Sequence, residues 1–291
     1  MYSDSKLIQQ AQGLNFNNWF NVVLGPIAIL FLTGIMQIFL LPINRYLVSM
    51  TNHPDLALFL DLYLFIPMIL SIFLWTKYVE RRPISSLGLK PKRFFPAYFK
   101  GVWIGLGLFF LLTVILVVTN HAGSDFKLHL SAFPAVFLLF FAWSIQGSAE
   151  EIFSRGWQLQ TLAIKFNVVV GLVASSSFFA LLHFANPNVN VIAILNLILF
   201  SLFIGLYALL QGDIVGACGI HVAWNYAQGS IFGFHVSGMN ASSSLMKFHP
   251  VGNSLYSGGS FGPEASIFTT ILFSSLIIYF IYKAYRKKKK A

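Results

Sequence analysis

The chain has 291 residues, of which 57% are hydrophobic and 10% charged, with a mean hydropathy of +0.73 and a formal charge of +10. A soluble domain carries about 25% charged residues, so this composition excludes a water-soluble globular protein and defines a polytopic membrane protein. The positive charge then reads as membrane topology, not nucleic-acid binding. The single cysteine, Cys218, excludes a disulfide framework and a thiolate metal cluster.

The first twenty residues are polar and lack the basic-then-apolar design of a signal peptide, so no cleavage is expected there. Eight apolar stretches follow, near residues 22–41, 56–75, 98–118, 133–164, 168–184, 191–210, 214–234 and 265–282. At about 1.5 Å per residue each comes close to the roughly 30 Å of hydrocarbon, the fifth and eighth only just. The fourth is too long for one plain crossing, which predicts that its far end projects into an aqueous space. The fold class is therefore all-α, a polytopic transmembrane helix bundle of about eight spans.

Lysine and arginine set the orientation. With eight spans, the segment between the second and third (Lys77, Arg81, Arg82, Lys90, Lys92, Arg93, Lys100) and the tail (Lys283, Arg286, Lys287 to Lys290) fall on one side, with Lys6, Arg155 and Lys165. Only Arg45, Lys127 and Lys247 take the other side, so both termini are expected in the cytoplasm. The basic loop and tail suit anionic lipid headgroups; the closing KKKA would also read as a retrieval signal in a eukaryote. The location implied is the cell membrane, or the endoplasmic reticulum membrane if the source is eukaryotic.

Within this frame, residues 1–132 hold the polar N-terminus and three spans, 133–234 a helical core, and 235–291 a loop, the last span and the tail. Gly101 and Gly105 form a small-residue pair suited to close helix packing. Asp61 is a lone carboxylate expected to hydrogen-bond at a helix interface. The Ser- and Gly-rich stretch 235–264 reads as a flexible linker on the outer side. Asp213 reads as a helix cap and Cys218 as packing. His53, His121, His129, His235 and His249 lie in or near outer loops and receive no role.

Three polar clusters interrupt the core. Glu150, Glu151 and Arg155 lie in the fourth span, Phe179 and His183 in the fifth, His221 and Asn225 in the seventh. Residues four apart share a helix face, so each pair presents one edge inward. If the fourth and fifth spans turn around Phe166 and Asn167, Glu150 and His183 fall at the same depth. Glu151 is rotated by about 100° from Glu150, and Arg155 is placed to pair with it. That assigns Glu151–Arg155 to structure and leaves Glu150 for chemistry. His221 is eight residues past the Gly212–Asp213 turn, about 12 Å by helical rise, which predicts a shallow site opening toward the cytoplasm.

These clusters, EExxxR, FxxxH and HxxxN in order on successive membrane helices, resemble the three motifs of the CAAX protease and bacteriocin-processing family, also called the Abi family. The resemblance covers roughly residues 133–228, and no motif residue departs from it. It implies an intramembrane endopeptidase acting on a membrane-associated or lipidated peptide or protein, with links in bacteria to peptide processing and bacteriocin self-immunity. It further implies that Glu150 and His183 activate water while His221 and Asn225 stabilise the oxyanion. Glu151 and Arg155 are then structural support for the site, Phe179 packs against it, and no cofactor is expected. A zinc set of Glu150, His183 and His221 is the alternative the sequence leaves open. Competing classes are a transporter, opposed by the lack of internal repeats, and a non-catalytic scaffold or immunity protein of the same fold.

Overall fold

The computed structural model describes residues 5–11, 19–51, 54–89, 94–240 and 243–289. His53 and the basic residues Lys90, Lys92, Arg93 and Lys290 lie outside the described residues. The chain forms helices α1 (Lys6–Gln9), α2 (Trp19–Thr51), α3 (Pro54–Tyr63), α4 (Ile66–Leu74), α5 (Phe94–Val118), α6 (Phe133–Glu151), α7 (Leu159–Lys165), α8 (Val168–Leu181), α9 (Val191–Gln211), α10 (Val215–Tyr226), α11 (Ser254–Ser257) and α12 (Ile267–Lys289). Among the described residues six helical runs are long and apolar enough to cross a membrane: Trp19–Met50, Asp55–Val79, Phe94–Val118, Leu130–Lys165, Val191–Gln211 and Ile267–Arg286. The other two expected spans correspond to the shorter α8 and α10.

The reason α10 is short and polar is its place in the bundle. Every residue from Val215 to Asn225 is buried. A helix sheathed by protein needs no lipid-compatible surface, so it can carry His221 and Asn225. Helix α5 lies so close that a Cβ at Gly101 would meet the carbonyl oxygen of Gly216, and one at Gly105 that of Ile220. The small-residue pair thus sets the position of the helix bearing the second histidine. Around Trp224 the rings of Phe109, Phe200 and Phe273 close the core, with centroids 5.0, 5.9 and 5.0 Å away.

The fourth span is one helical run in which a π-helical turn, Ile152–Gln158, joins α6 to α7. Toward its far end the run is covered by protein: residues 151–161 are all buried. A polar network grips this end. Glu80 accepts from Arg82 Nε at 2.6 Å and from Trp157 Nε1 at 2.7 Å. Gln160 accepts from Arg82 Nη1 at 2.8 Å and donates to the carbonyls of Leu7 and Ser86. Gly88 packs on Leu7 and Ile214, and Gly212 on Lys6, so α1, the segment after α4 and the α9–α10 turn meet at this end.

The 235–264 segment lies at the opposite end. There β1 (Ala122–Ser124), following α5, pairs antiparallel with β2 (Phe248–Pro250). The described residues of the segment are folded rather than a flexible linker, with Gly238, Gly252, Gly258, Gly259 and Gly262 at positive φ. Ser237 and Gly238 have φ of 49° and 85° in a tight turn closed by the Val236–Met239 bridge, and a Cβ at Gly238 would meet the carbonyl of Pro187. Elsewhere Asp61 accepts from Asn44 Nδ2 of α2 at 2.9 Å, the interhelical bond expected of it. Asp213 accepts from the Val215 N–H at 3.3 Å at the start of α10, and Cys218 is buried.

Candidate active site

Glu150 and Glu151 end α6, and Arg155 lies in the π-turn that follows. Arg155 Nη1 donates to Glu151 Oε1 at 2.8 Å and its Nη2 to the carbonyl of Ser201 at 3.0 Å. The guanidinium carbon sits 5.0 Å from the ring centre of Phe179. The expected ion pair is therefore present, but Glu151 does more than pair. Its Oε1 also accepts from His221 Nδ1 at 2.8 Å. The carboxylate assigned only to structure holds the ring of the second motif histidine.

That bond decides the histidine's tautomer. A carboxylate paired with arginine only accepts, so Nδ1 of His221 carries a hydrogen. Nε2 lies 3.6 Å from Glu150 Oε2. His183 is arranged alike. It sits two residues beyond Leu181, the last of α8, and its Nδ1 donates to the carbonyl of Phe179 at 2.8 Å. A carbonyl cannot donate, so Nδ1 carries the hydrogen here too, and in the neutral ring Nε2 of His183 is the acceptor.

Glu150 Oε1 accepts from Gln146 Nε2 at 2.6 Å, and Gln146 Oε1 accepts from Asn225 Nδ2 at 3.0 Å. Gln146 thus couples α6 to α10 through the two motif residues. Sequence reading missed it, although its place four residues before Glu150 puts it on the same helix face. Glu150 Oε2 has no hydrogen bond among the described residues.

Glu150, Phe179, His183, His221 and Asn225 all line one cavity of about 320 Å³, whereas Glu151 and Arg155 lie off its wall. Most of the remaining wall is apolar, including Leu62, Phe65, Leu182 and Phe273. Val236, Ser237, Met239 and Glu264 also line it. The cavity thus lies under the 235–264 segment and not toward the basic end, where a shallow opening was expected. The physical reason is that α1 and the Glu80–Arg82 network cover the far end of the fourth span, while His183 sits past the other end of α8.

Among the described residues no three His, Cys, Asp or Glu side chains are grouped as a metal's ligands would be.

Six apolar runs of membrane length mark a multi-pass membrane protein, and within it one carboxylate, two imidazoles and an amide of the motifs share one cavity. Residues 131–227, 97 of the 291, match the family described as Type II CAAX prenyl endopeptidase Rce1-like. Every motif residue falls inside the match. No curated protein and no solved structure matches the chain.

Proposed function

We propose that the chain is a membrane-embedded endopeptidase that hydrolyses a peptide bond of a membrane-associated or lipidated peptide or protein. The observation that carries this reading is the carboxylate of Glu150. Glu150 lines the cavity; one of its oxygens accepts from Gln146, while the other makes no hydrogen bond among the described residues and lies 3.6 Å from Nε2 of His221. In this reading Glu150 takes a proton from water, which attacks the scissile carbonyl, and returns it to the leaving amine. His183, with its Nε2 lone pair, orients that water. Asn225 spends one amide hydrogen on Gln146 and keeps the other for the oxyanion. As an oxyanion donor His221 carries hydrogens on both nitrogens, and the formal charges of Glu150, Glu151, Arg155 and His221 then cancel.

The test is cleavage of a fluorogenic membrane peptide by the purified protein in detergent, with and without chelator. We expect cleavage to survive chelation, no stoichiometric metal in the active preparation, and loss of about a hundredfold or more in kcat for Asn225→Ala. Stoichiometric zinc with chelator-sensitive cleavage would replace the glutamate mechanism with a metal one.

For topology we propose eight crossings with both ends in the cytoplasm of a cell-membrane protein. The end of the bundle carrying α1 and the close of α12 also carries aromatic residues beside its cations, with Lys165 4.8 Å from the Trp19 ring and Lys283 5.7 Å from that of Tyr279. Such pairs suit an interface with anionic headgroups. A reporter fused to the C-terminus is expected to read as cytoplasmic; an exterior signal would force a different count of spans.

A further inference from the structure

His183 lies beyond the regular part of α8, so helix geometry alone does not hold it. Its ring is tied to Phe179, but the chain that carries it runs on through turns to α9. A series of hydrogen bonds fixes this stretch from outside. The Asn186 N–H donates to the carbonyl of His183 at 3.0 Å, and Asn186 Nδ2 donates to the carbonyl of Ser237 at 3.0 Å. Ser237 in turn donates through both its N–H, at 2.6 Å, and its Oγ, at 3.0 Å, to Oε2 of Glu264. Glu264 is itself anchored to α9, since Asn196 Nδ2 donates to its carbonyl at 2.7 Å and to that of Ser266 at 2.9 Å.

Resting on the peptidase reading above, we propose that Glu264 is a positioning residue for His183, acting through Ser237 and Asn186 from outside the three motifs. Glu264 is 7% exposed and lines the same cavity as His183, Asn186 and Asn196. Burial pushes it above the ordinary carboxylate range, and the hydrogen bonds from Ser237 pull the other way. A group kept there against its own solvation, with two donors converging on one oxygen, is a built feature of the wall. Gly238 gives the contact its second support, since only glycine lets that turn meet Pro187 on the same stretch.

Two measurements on purified protein test this. In kinetics, Glu264→Ala is expected to lower kcat about 10- to 100-fold with KM changed less than about twofold, as displacement of a catalytic group does. Glu264→Gln keeps an acceptor oxygen for Ser237 and should recover most of that loss. In spectra of histidine-labelled protein, with signals assigned through His183→Ala, Glu264→Ala should move the His183 resonances and leave those of His221 in place. Asn186→Ala cuts the same connection without touching the buried carboxyl and should give the same signature. Unmoved His183 resonances in both variants would overturn the proposal, as would losses of kcat that only follow a falling melting temperature. If the wild-type protein cleaves no peptide, the peptidase reading fails while the spectra still decide whether Glu264 positions His183.

Discussion

Glu150→Gln is expected to abolish peptide cleavage, a loss of about 10²- to 10⁴-fold or more, while protein abundance stays nearly unchanged. The substitution keeps the shape of the side chain and an oxygen that accepts from Gln146, so packing and the link to Asn225 survive. What disappears is the ability to take a proton. No other carboxylate on the cavity wall replaces it, because that of Asp61 is engaged by Asn44 and that of Glu264 by Ser237. His183→Ala should be equally inactive, for want of the Nε2 lone pair. Membrane-fraction abundance and kcat/KM on the same preparations give the answer. Undiminished cleavage by Glu150→Gln would remove this site from the reaction, and a scaffold protein would keep its cellular function in the variant.

Arg155→Ala should be the most destabilising of the substitutions considered. Glu151 has 0% of its side chain exposed and Arg155 1%, so removing the cation leaves a carboxylate buried without its charge partner. Breaking such a pair costs about 3–5 kcal/mol, a large share of a typical total stability of about 5–15 kcal/mol. We expect abundance to fall severalfold. Adding Glu151→Gln removes the stranded charge and should restore part of the abundance. Activity should recover less than abundance, because Glu151 also holds Nδ1 of His221. Full abundance and full activity in the single variant would show that the pair is dispensable.

The parts of the site visible in the sequence are those governed by helix geometry. Spacing of four residues placed Arg155 with Glu151, and equal distance from the Phe166–Asn167 turn placed Glu150 and His183 on one cavity. Gly101 and Gly105 read correctly as a close-packing face. What stayed hidden depends on contacts between residues remote in the chain. Glu264 reaches Ser237 across 27 positions, Asn186 reaches Ser237 across 51 and His221 reaches Glu151 across 70, and no local pattern marks such pairs. The 235–264 segment was misread because glycine and serine look alike in a linker and in a series of tight turns; only the partner surface distinguishes them. The cover over the far end of the fourth span stayed hidden because it comes from α1, a four-residue helix in a polar stretch, and from Glu80 and Arg82, remote in the chain.

The π-turn after Glu151 constrains how this chain can change in length. A π-turn closes i to i+5 and so holds more residues than an α-turn, which means that Ile152–Gln158 has a residue to lose and a regular helix to relax into. Such a deletion would leave the backbone ladder whole and, because the wide turn holds its extra residue without extra rotation, would keep α7 nearly in phase with α6. A deletion in the regular helix on either side has no such slack. It would turn everything beyond it by about 100° and carry Gln160 off Arg82. The tolerance of this span to a change of length is thereby confined to one turn, between two buried polar networks.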